Sequence, residues 1–206
     1  PEFREKFHVV YNILSAQYLR KMAEAPVDFG DRYSGSRVLS IARLSVQKGL
    51  DLALPAVASL REKGLEFRWY IIGVGPEEAA LQEQARSLGI EQDVCFLGEQ
   101  ANPYPFLRAC DVYLQPSRFE GKSIAVDEAM VLCKPILLTD FSTAADQVTS
   151  GENGLIVPMT PEGIAEGLEK LLTDGELRQR FHDALEAEDY TNENEIEKVY
   201  SLIGSE

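Results

Sequence analysis

Glu120 and Glu128 stand eight positions apart, with Gly121 and Lys122 directly after the first, and Glu128 sits within an otherwise apolar run. From Ile124 to Leu132 only Asp127 and Glu128 are polar, so a helix made from this run is buried on most sides. An ionised carboxylate buried in this way costs several kcal/mol unless it is paired or hydrogen-bonded. Carboxylates accept hydrogen bonds from hydroxyls, and free amides at a helix start hold phosphate. Two carboxylates near a helix start, beside a glycine turn and a lysine, suit a ligand that is both polyhydroxylated and anionic. A nucleotide sugar has both properties.

Arg43 and Lys48 are a second pair, five residues apart at a strand-to-helix junction with Gln47 and Gly49. A planar guanidinium and a mobile ammonium at one strand end can converge on a diphosphate. Alone they would read as two solvated surface cations; a rim shared with Glu120 and Glu128 directs them to a ligand. Gly73-Val74-Gly75 is either a tight turn or a place where backbone approaches a ligand. The full G-x-G-x-x-G pattern is absent because Glu78 stands at its third glycine, and there is no P-loop. Lys122 reads as a phosphate contact or a cover for the pocket mouth. Asp127 reads as a solvent-facing or capping group, and Arg118 as a partner for Asp140 or Asp146. No Ser/His/Asp or Cys/His arrangement is visible, and no Asp-x-Asp, so no metal is expected. Cys95, Cys110 and Cys133 are widely spaced and read as reduced core thiols. His8 and His182 sit in no motif.

The elements that must position these groups alternate. Strands are expected at 37–42, 67–72, 94–97, 112–114, 135–139 and 155–157. Helices are expected at 49–63 (ended by Gly64), from Pro76 in a first turn to about Leu88, from Asn102-Pro103 to about Ala109, and around 145–148. Thr160-Pro161-Glu162 starts another. Short apolar strands between helices give an α/β fold, a Rossmann-like doubly wound parallel sheet with helices on both faces. Ligands of such sheets sit beyond the carboxyl ends of the strands. Gly73, Gly98, Ser117 and Thr139 all follow strands and should share that rim. Residues 7–11 could form a strand, 15–25 a helix and 192–203 a terminal helix.

A formal charge of −14 over 206 residues argues against a nucleic-acid surface. The excess is concentrated: residues 161–206 hold thirteen acidic residues against four basic ones, a net of −9, read as a solvated helical face. The sequence starts at Pro1 without a methionine, a signal peptide or a membrane-spanning run, so a cytoplasmic piece of a larger protein is expected.

Taken together, these residues resemble the C-terminal, donor-binding half of retaining glycosyltransferases of family 4, which have the GT-B fold. The resemblance runs from Arg37 to about Leu172. Its most specific element is Glu-x7-Glu, here Glu120 and Glu128. Ala42-Arg43-Leu44 with Lys48-Gly49, Gly73-Val74-Gly75-Pro76, Phe96-Leu97-Gly98, Ala109-Cys110-Asp111-Val112 and Asn153-Gly154-Leu155-Ile156-Val157 follow in family order. The resemblance implies that Arg43 and Lys48 bind the donor diphosphate and that Glu120 contacts the transferred sugar. These three would carry the transfer chemistry. It also implies that Glu128 accepts from the ribose hydroxyls, and that amides from Gly121 through Lys122 and Ser123 to Ile124 hold phosphate and sugar oxygens. The base would pack near Gly73, Gly75 and the 94–98 loop with Gly98. Departures from the family pattern are Ala42 and Cys133 for usual glycines, and the 141–147 segment in place of a glycine pair and glutamate. They are similar to a subgroup that builds bacterial surface polysaccharides.

The implied organisation is an interdomain link with the end of an absent N-terminal domain at 1–35, a donor domain at 36–190 and a terminal helix at 191–206. The implied activity is transfer of a hexose-type sugar from a nucleoside diphosphate, UDP by family precedent, to a glycan or lipid-linked acceptor. This chain would bind donor without transfer, the acceptor would lie on the absent domain, and the whole enzyme would associate peripherally with a membrane. No cofactor beyond the donor is implied. A silent nucleotide-sugar-binding subunit and a GT-B-like sugar-nucleotide 2-epimerase are alternatives, along with a generic doubly wound cofactor domain.

Overall fold

The computed structural model describes residues 14–188 together with 190, 200, 201 and 203. His8 and the strand expected at 7–11 lie outside them, as does the expected terminal helix apart from residues 200, 201 and 203, which are helical. The described strands are Ser36–Ile41 (β1), Phe67–Ile72 (β2), Val94–Gly98 (β3), Val112–Gln115 (β4), Ile136–Thr139 (β5) and Leu155–Val157 (β6). They form one parallel sheet in the order β3-β2-β1-β4-β5-β6.

A parallel sheet of apolar strands must be covered on both sides, and the period-two alternation of side chains divides the cover. Val38, Trp69, Ile71, Val112, Leu114 and Leu137 enter one core. That core is closed by Leu50–Glu62 (α2), Glu78–Ser87 (α3), Pro161–Thr173 (α6) and the start of Gly175–Glu186 (α7). Leu39, Tyr70, Ile72, Tyr113, Ile136 and Leu138 enter the other, closed by Tyr104–Ala109 (α4) and Ile124–Val131 (α5). Ala16–Met22 (α1) packs Leu19 near Tyr104 and Val131 behind that layer. The polar atoms taken inside are satisfied in sequence: Trp69 Nε1 donates to Ser40 Oγ at 3.0 Å, and Ser40 Oγ donates to the Leu114 carbonyl at 2.6 Å.

Local chemistry sets the helix ends. Thr160 caps α6 through its side chain, with Pro161 at the first position, as expected. The α3 helix begins at Glu78, so Pro76 lies in the preceding turn instead of the first helical turn. The short helix expected around 145–148 is a 3-10 turn at Ala144–Asp146. Helix α7 was not expected; Asp174 both ends α6 and caps α7 by accepting from the Leu177 amide at 2.8 Å. Pro55 lies inside α2, where its ring lacks the N–H that would reach the Asp51 carbonyl. Gln84 of α3 donates to that carbonyl at 3.0 Å.

At the other end of α5, Cys133 N–H bonds the Met130 carbonyl and Lys134 N–H the Ala129 carbonyl, a Schellman closure. Its left-handed position is filled by Cys133, at φ 52°, which explains why a glycine would be usual there. Cys110 and Cys133 are buried free thiols and Cys95 is a half-buried one.

A closed polar cluster covers the amino ends of β1 and β2. Asp31 accepts from Arg68 Nη1 and from the Tyr70 hydroxyl, each at 2.6 Å, and from the Tyr33 amide at 3.0 Å. The Arg37 guanidinium lies 4.8 Å from the Phe29 ring centre, and that of Arg68 lies 4.7 Å from the Tyr33 ring centre.

Candidate functional site

Because all six strands run the same way, the segments following them emerge on one rim. There Arg43 and Gly73 line a cavity of about 420 Å³ with Ile41, Val74, Gln100 and Pro103 among its other walls. The guanidinium of Arg43 is exposed and has no ion pair or hydrogen bond among the described residues. Gly121 and Lys122 line a second, more polar cavity of about 620 Å³ with Thr143, Asp146 and Gln147.

On the same rim the segment at 46–51 is stapled to the loop at 116–120. Arg118 makes a two-pronged contact with Asp51, Nη1 to Oδ1 at 2.7 Å and Nη2 to Oδ2 at 2.6 Å, and Nη1 also donates to the Val46 carbonyl. This replaces the expected pairing with Asp140 or Asp146; Asp140 instead accepts from the Met159 amide. The Arg118 hydrogen bonds hold the Asp51 carboxyl below its ordinary pKa despite some burial. Gly49 makes the close approach possible, since a Cβ there would stand 2.0 Å from the Pro116 carbonyl oxygen and φ is +63°.

The staple brings Lys48 onto Glu120, with Nζ 2.7 Å from Oε1. The same oxygen accepts from Ser117 Oγ at 2.6 Å and Gln115 Nε2 at 3.3 Å, and Gln47 Nε2 reaches Oε2 at 3.4 Å. The Gln115 carbonyl oxygen is itself held by the Tyr113 hydroxyl and Ser123 Oγ, both at 3.0 Å.

Glu128 lies one turn into α5, half-buried, and accepts from the Tyr104 hydroxyl at 2.9 Å. Burial raises its pKa, the Tyr104 hydrogen bond opposes that rise, and the neighbouring Asp127 charge adds to it. Burial pushes the Tyr113 phenol up, and the negative charges of Glu128 and Glu120 add to the rise.

Several expected sites need correction. The Ser123 amide is not free for a phosphate: it donates to Gln147 Oε1 at 2.9 Å, and Gln147 Nε2 returns bonds to the Ser123 carbonyl and to Asp127 Oδ1. Asp127 is therefore not solvent-facing, and it also pairs with Lys122 Nζ at 3.2 Å. Helix α5 is less enclosed than expected, because Ile124 at its tip is 44% exposed. Of the expected site residues, Arg43, Gly73, Gly121 and Lys122 line the two cavities, whereas Lys48, Gly75, Gly98, Glu120, Ser123, Ile124 and Glu128 line neither. Added Cβ atoms at Gly73 and Gly75 would meet the carbonyl oxygens of Ala42 at 2.0 Å and Leu44 at 2.2 Å. Close packing against the 42–44 backbone is enough to require glycine at both positions, and Gly73 also lines the first cavity. Tyr104, Gln115 and Gln147 were missed; a glutamine directly after the apolar run of β4 was the one available signal.

The arrangement offers an exposed guanidinium, an ammonium–carboxylate pair, a half-buried carboxylate and a helix start, all on one rim. Among the described residues no three His, Cys, Asp or Glu side chains group as metal ligands, and no helix is long and apolar enough to cross a membrane.

Residues 31–187 match the family described as Glycosyl transferases group 1. A putative colanic acid biosynthesis glycosyltransferase, WcaL of Salmonella typhimurium, is 32% identical over 158 residues, covering 73% of this chain and 38% of its own. An N-acetylgalactosamine-N,N'-diacetylbacillosaminyl-diphospho-undecaprenol 4-alpha-N-acetylgalactosaminyltransferase of Campylobacter jejuni is 26% identical over 179 residues, covering 86% of this chain and 47% of its own. The chain thus spans less than half the length of these curated relatives. Among solved structures, Anabaena Alr3699/HepE in complex with UDP superposes with a TM-score of 0.81 at 21% identity, covering 97% of this chain and 57% of that one.

Proposed function

Starting from a chain that belongs to the group 1 glycosyl transferases, we propose that it forms the donor-binding half of a retaining enzyme. The enzyme moves a hexose-type sugar from a UDP-sugar to a glycan or lipid-linked acceptor in surface polysaccharide synthesis. What supports this reading is the Lys48–Glu120 pair, on segments that follow β1 and β4 of a parallel sheet, together with Arg43 on the wall of one cavity, Gly121 and Lys122 on the wall of the other, and Glu128 half-buried in α5. The UDP in the Alr3699/HepE complex, and the colanic acid and diphospho-undecaprenol named for the two relatives, favour the choice of base and acceptor class.

Transfer leaves a nucleoside diphosphate, and fixed charges and dipoles aimed at that departing group lower the barrier without rearranging solvent. Arg43 and Lys48 supply the positive charge. The first amides of α5, which its cap Ser123 does not engage with its side chain, add the helix-start dipole. Glu128, already holding one hydroxyl from Tyr104, accepts from the ribose, and Glu120 orients the sugar. No metal takes part in this scheme. The acceptor is bound by a part of the enzyme outside this chain, so the chain alone binds donor without transferring it.

Calorimetric titration with UDP tests the reading. We expect binding by the chain, weakened in Glu128→Ala for UDP but not for inorganic pyrophosphate. Equal losses on both ligands would refute the ribose role, and no binding of either would refute the donor site.

A further inference from the structure

Glu120 Oε1 is held by two buried neutral donors, Ser117 and Gln115, and by one cation on a flexible stem, while Gln47 reaches only the other oxygen. The Glu120 side chain is 7% exposed. Ser117 and Gln115 are buried, and each is fixed in turn: Thr139 Oγ1 donates to the Ser117 carbonyl at 2.6 Å, and Gln115 is bonded by Tyr113 and Ser123. Lys48 ends a short 3-10 turn, is 21% exposed, and approaches through a flexible four-carbon stem. An anion arriving at this rim competes with Glu120 for that ammonium. If it wins, a nearly buried carboxylate is left without its counter-charge, an outcome that low-polarity surroundings penalise heavily. A hydroxyl donated to Glu120 at the same moment offsets that penalty.

On this basis, and resting on the donor-site reading above, we infer that Lys48 and Glu120 exchange partners when a ligand binds, and that the exchange makes the site prefer a sugar-bearing diphosphate over a bare one. The diphosphate takes Lys48, and a sugar hydroxyl takes the place of Lys48 on Glu120 Oε1. A bare nucleoside diphosphate does only the first half. After the sugar departs, Glu120 reclaims Lys48 and the product is loosened. The pair is thus both the grip on the donor and the device that lets go of the product.

Titration calorimetry with UDP and UDP-glucose, on the unaltered chain and on Glu120→Gln, tests the exchange. The unaltered chain binds UDP-glucose more tightly than UDP. Glu120→Gln tightens UDP about tenfold, or about 1.4 kcal/mol, because no buried anion is left behind. UDP-glucose gains less, so the preference shrinks. The gain for UDP is absent in a Lys48→Met background. Lys48→Gln, whose neutral amide can stay on Glu120, loses the same preference and supplies the answer if Glu120→Gln does not fold. A preference for UDP-glucose retained in these variants, or UDP binding weakened by Glu120→Gln in a chain with an unchanged melting midpoint, overturns the exchange and leaves the donor site standing. Failure of the unaltered chain to bind UDP, UDP-glucose or pyrophosphate overturns both.

Discussion

The two ends of the sheet carry similar residues and use them differently. At the amino ends of β1 and β2, Asp31, Arg37, Arg68 and Tyr70 are bound to one another and covered by Phe29 and Tyr33. Burial pushes the Asp31 carboxyl up, but hydrogen bonds from Tyr70, the Tyr33 backbone and Arg68 outweigh it and hold its pKa below the ordinary value. Burial first, and then the hydrogen bond to Asp31, pushes Tyr70 up to about 12. At the carboxyl rim the charges are not closed off. Arg43 is left over among the described residues and stands on the wall of an open hollow, and Lys48 is shared with a carboxylate. Among the described residues the buried cluster satisfies its carboxylate and phenol and leaves only Arg37 Nε without a partner, whereas the rim leaves a whole guanidinium directed outward.

That contrast can be broken by experiment. The largest effect is expected from Asp31→Ala, which strands Arg68 and Tyr70 and should cost about 3 kcal/mol of stability by chemical denaturation, with UDP affinity untouched. Its pH dependence follows from the lowered pKa. The contribution of Asp31 is present above the unfolded-state value near 3.8 and is lost as pH falls through the lower folded value. The gap between Asp31→Ala and the parent should therefore close in strong acid. Next is Arg43→Ala, which should weaken UDP by tenfold or more, about 1.5–3 kcal/mol, with no shift in the melting midpoint. A Arg43→Ala variant that melts early would move this residue to the structural class.

Tyr104→Phe should cost about 1 kcal/mol of UDP binding by calorimetry, as Glu128 loses the donor that orients it. Glu128→Gln sharpens the same point through pH. Because burial raises the Glu128 pKa in the folded chain, its penalty is present above the folded value and gone below the unfolded value near 4.5. Removing the charge should therefore raise the melting midpoint at neutral pH, with no gain in strong acid, while UDP affinity falls. The smallest effect is Cys133→Gly, which relieves the left-handed strain but gives up a buried thiol, for a net gain under about 1 kcal/mol in the melting curve.

Much of the sheet was legible because parallel strands buried on both faces read as apolar runs, and glycine and proline mark their ends. The loops bearing Arg43, Lys48 and Glu120 were legible as strand-end segments carrying charge. What Lys48 does was not. Its partner is 72 residues away and is brought near by the Arg118–Asp51 fork and the bonds between Gln47 and the 118–119 backbone, contacts with no local signature. The occupied Ser123 amide was hidden for the same reason, since Gln147 reaches it across 24 residues. Helix α7 was missed because Asp174 resembles a surface residue until its capping bond to Leu177 is seen.

The proline in α2 has a consequence for anyone recombining this domain with its relatives. Gln84 serves the carbonyl that Pro55 orphans on Asp51, and the carboxylate of that same Asp51 grips Arg118 on the Glu120 loop. Segment 78–87 is therefore not an interchangeable cassette. A transplant that carries Pro55 without an amide donor at position 84 leaves a stranded oxygen on the very residue whose carboxylate holds the Glu120 loop.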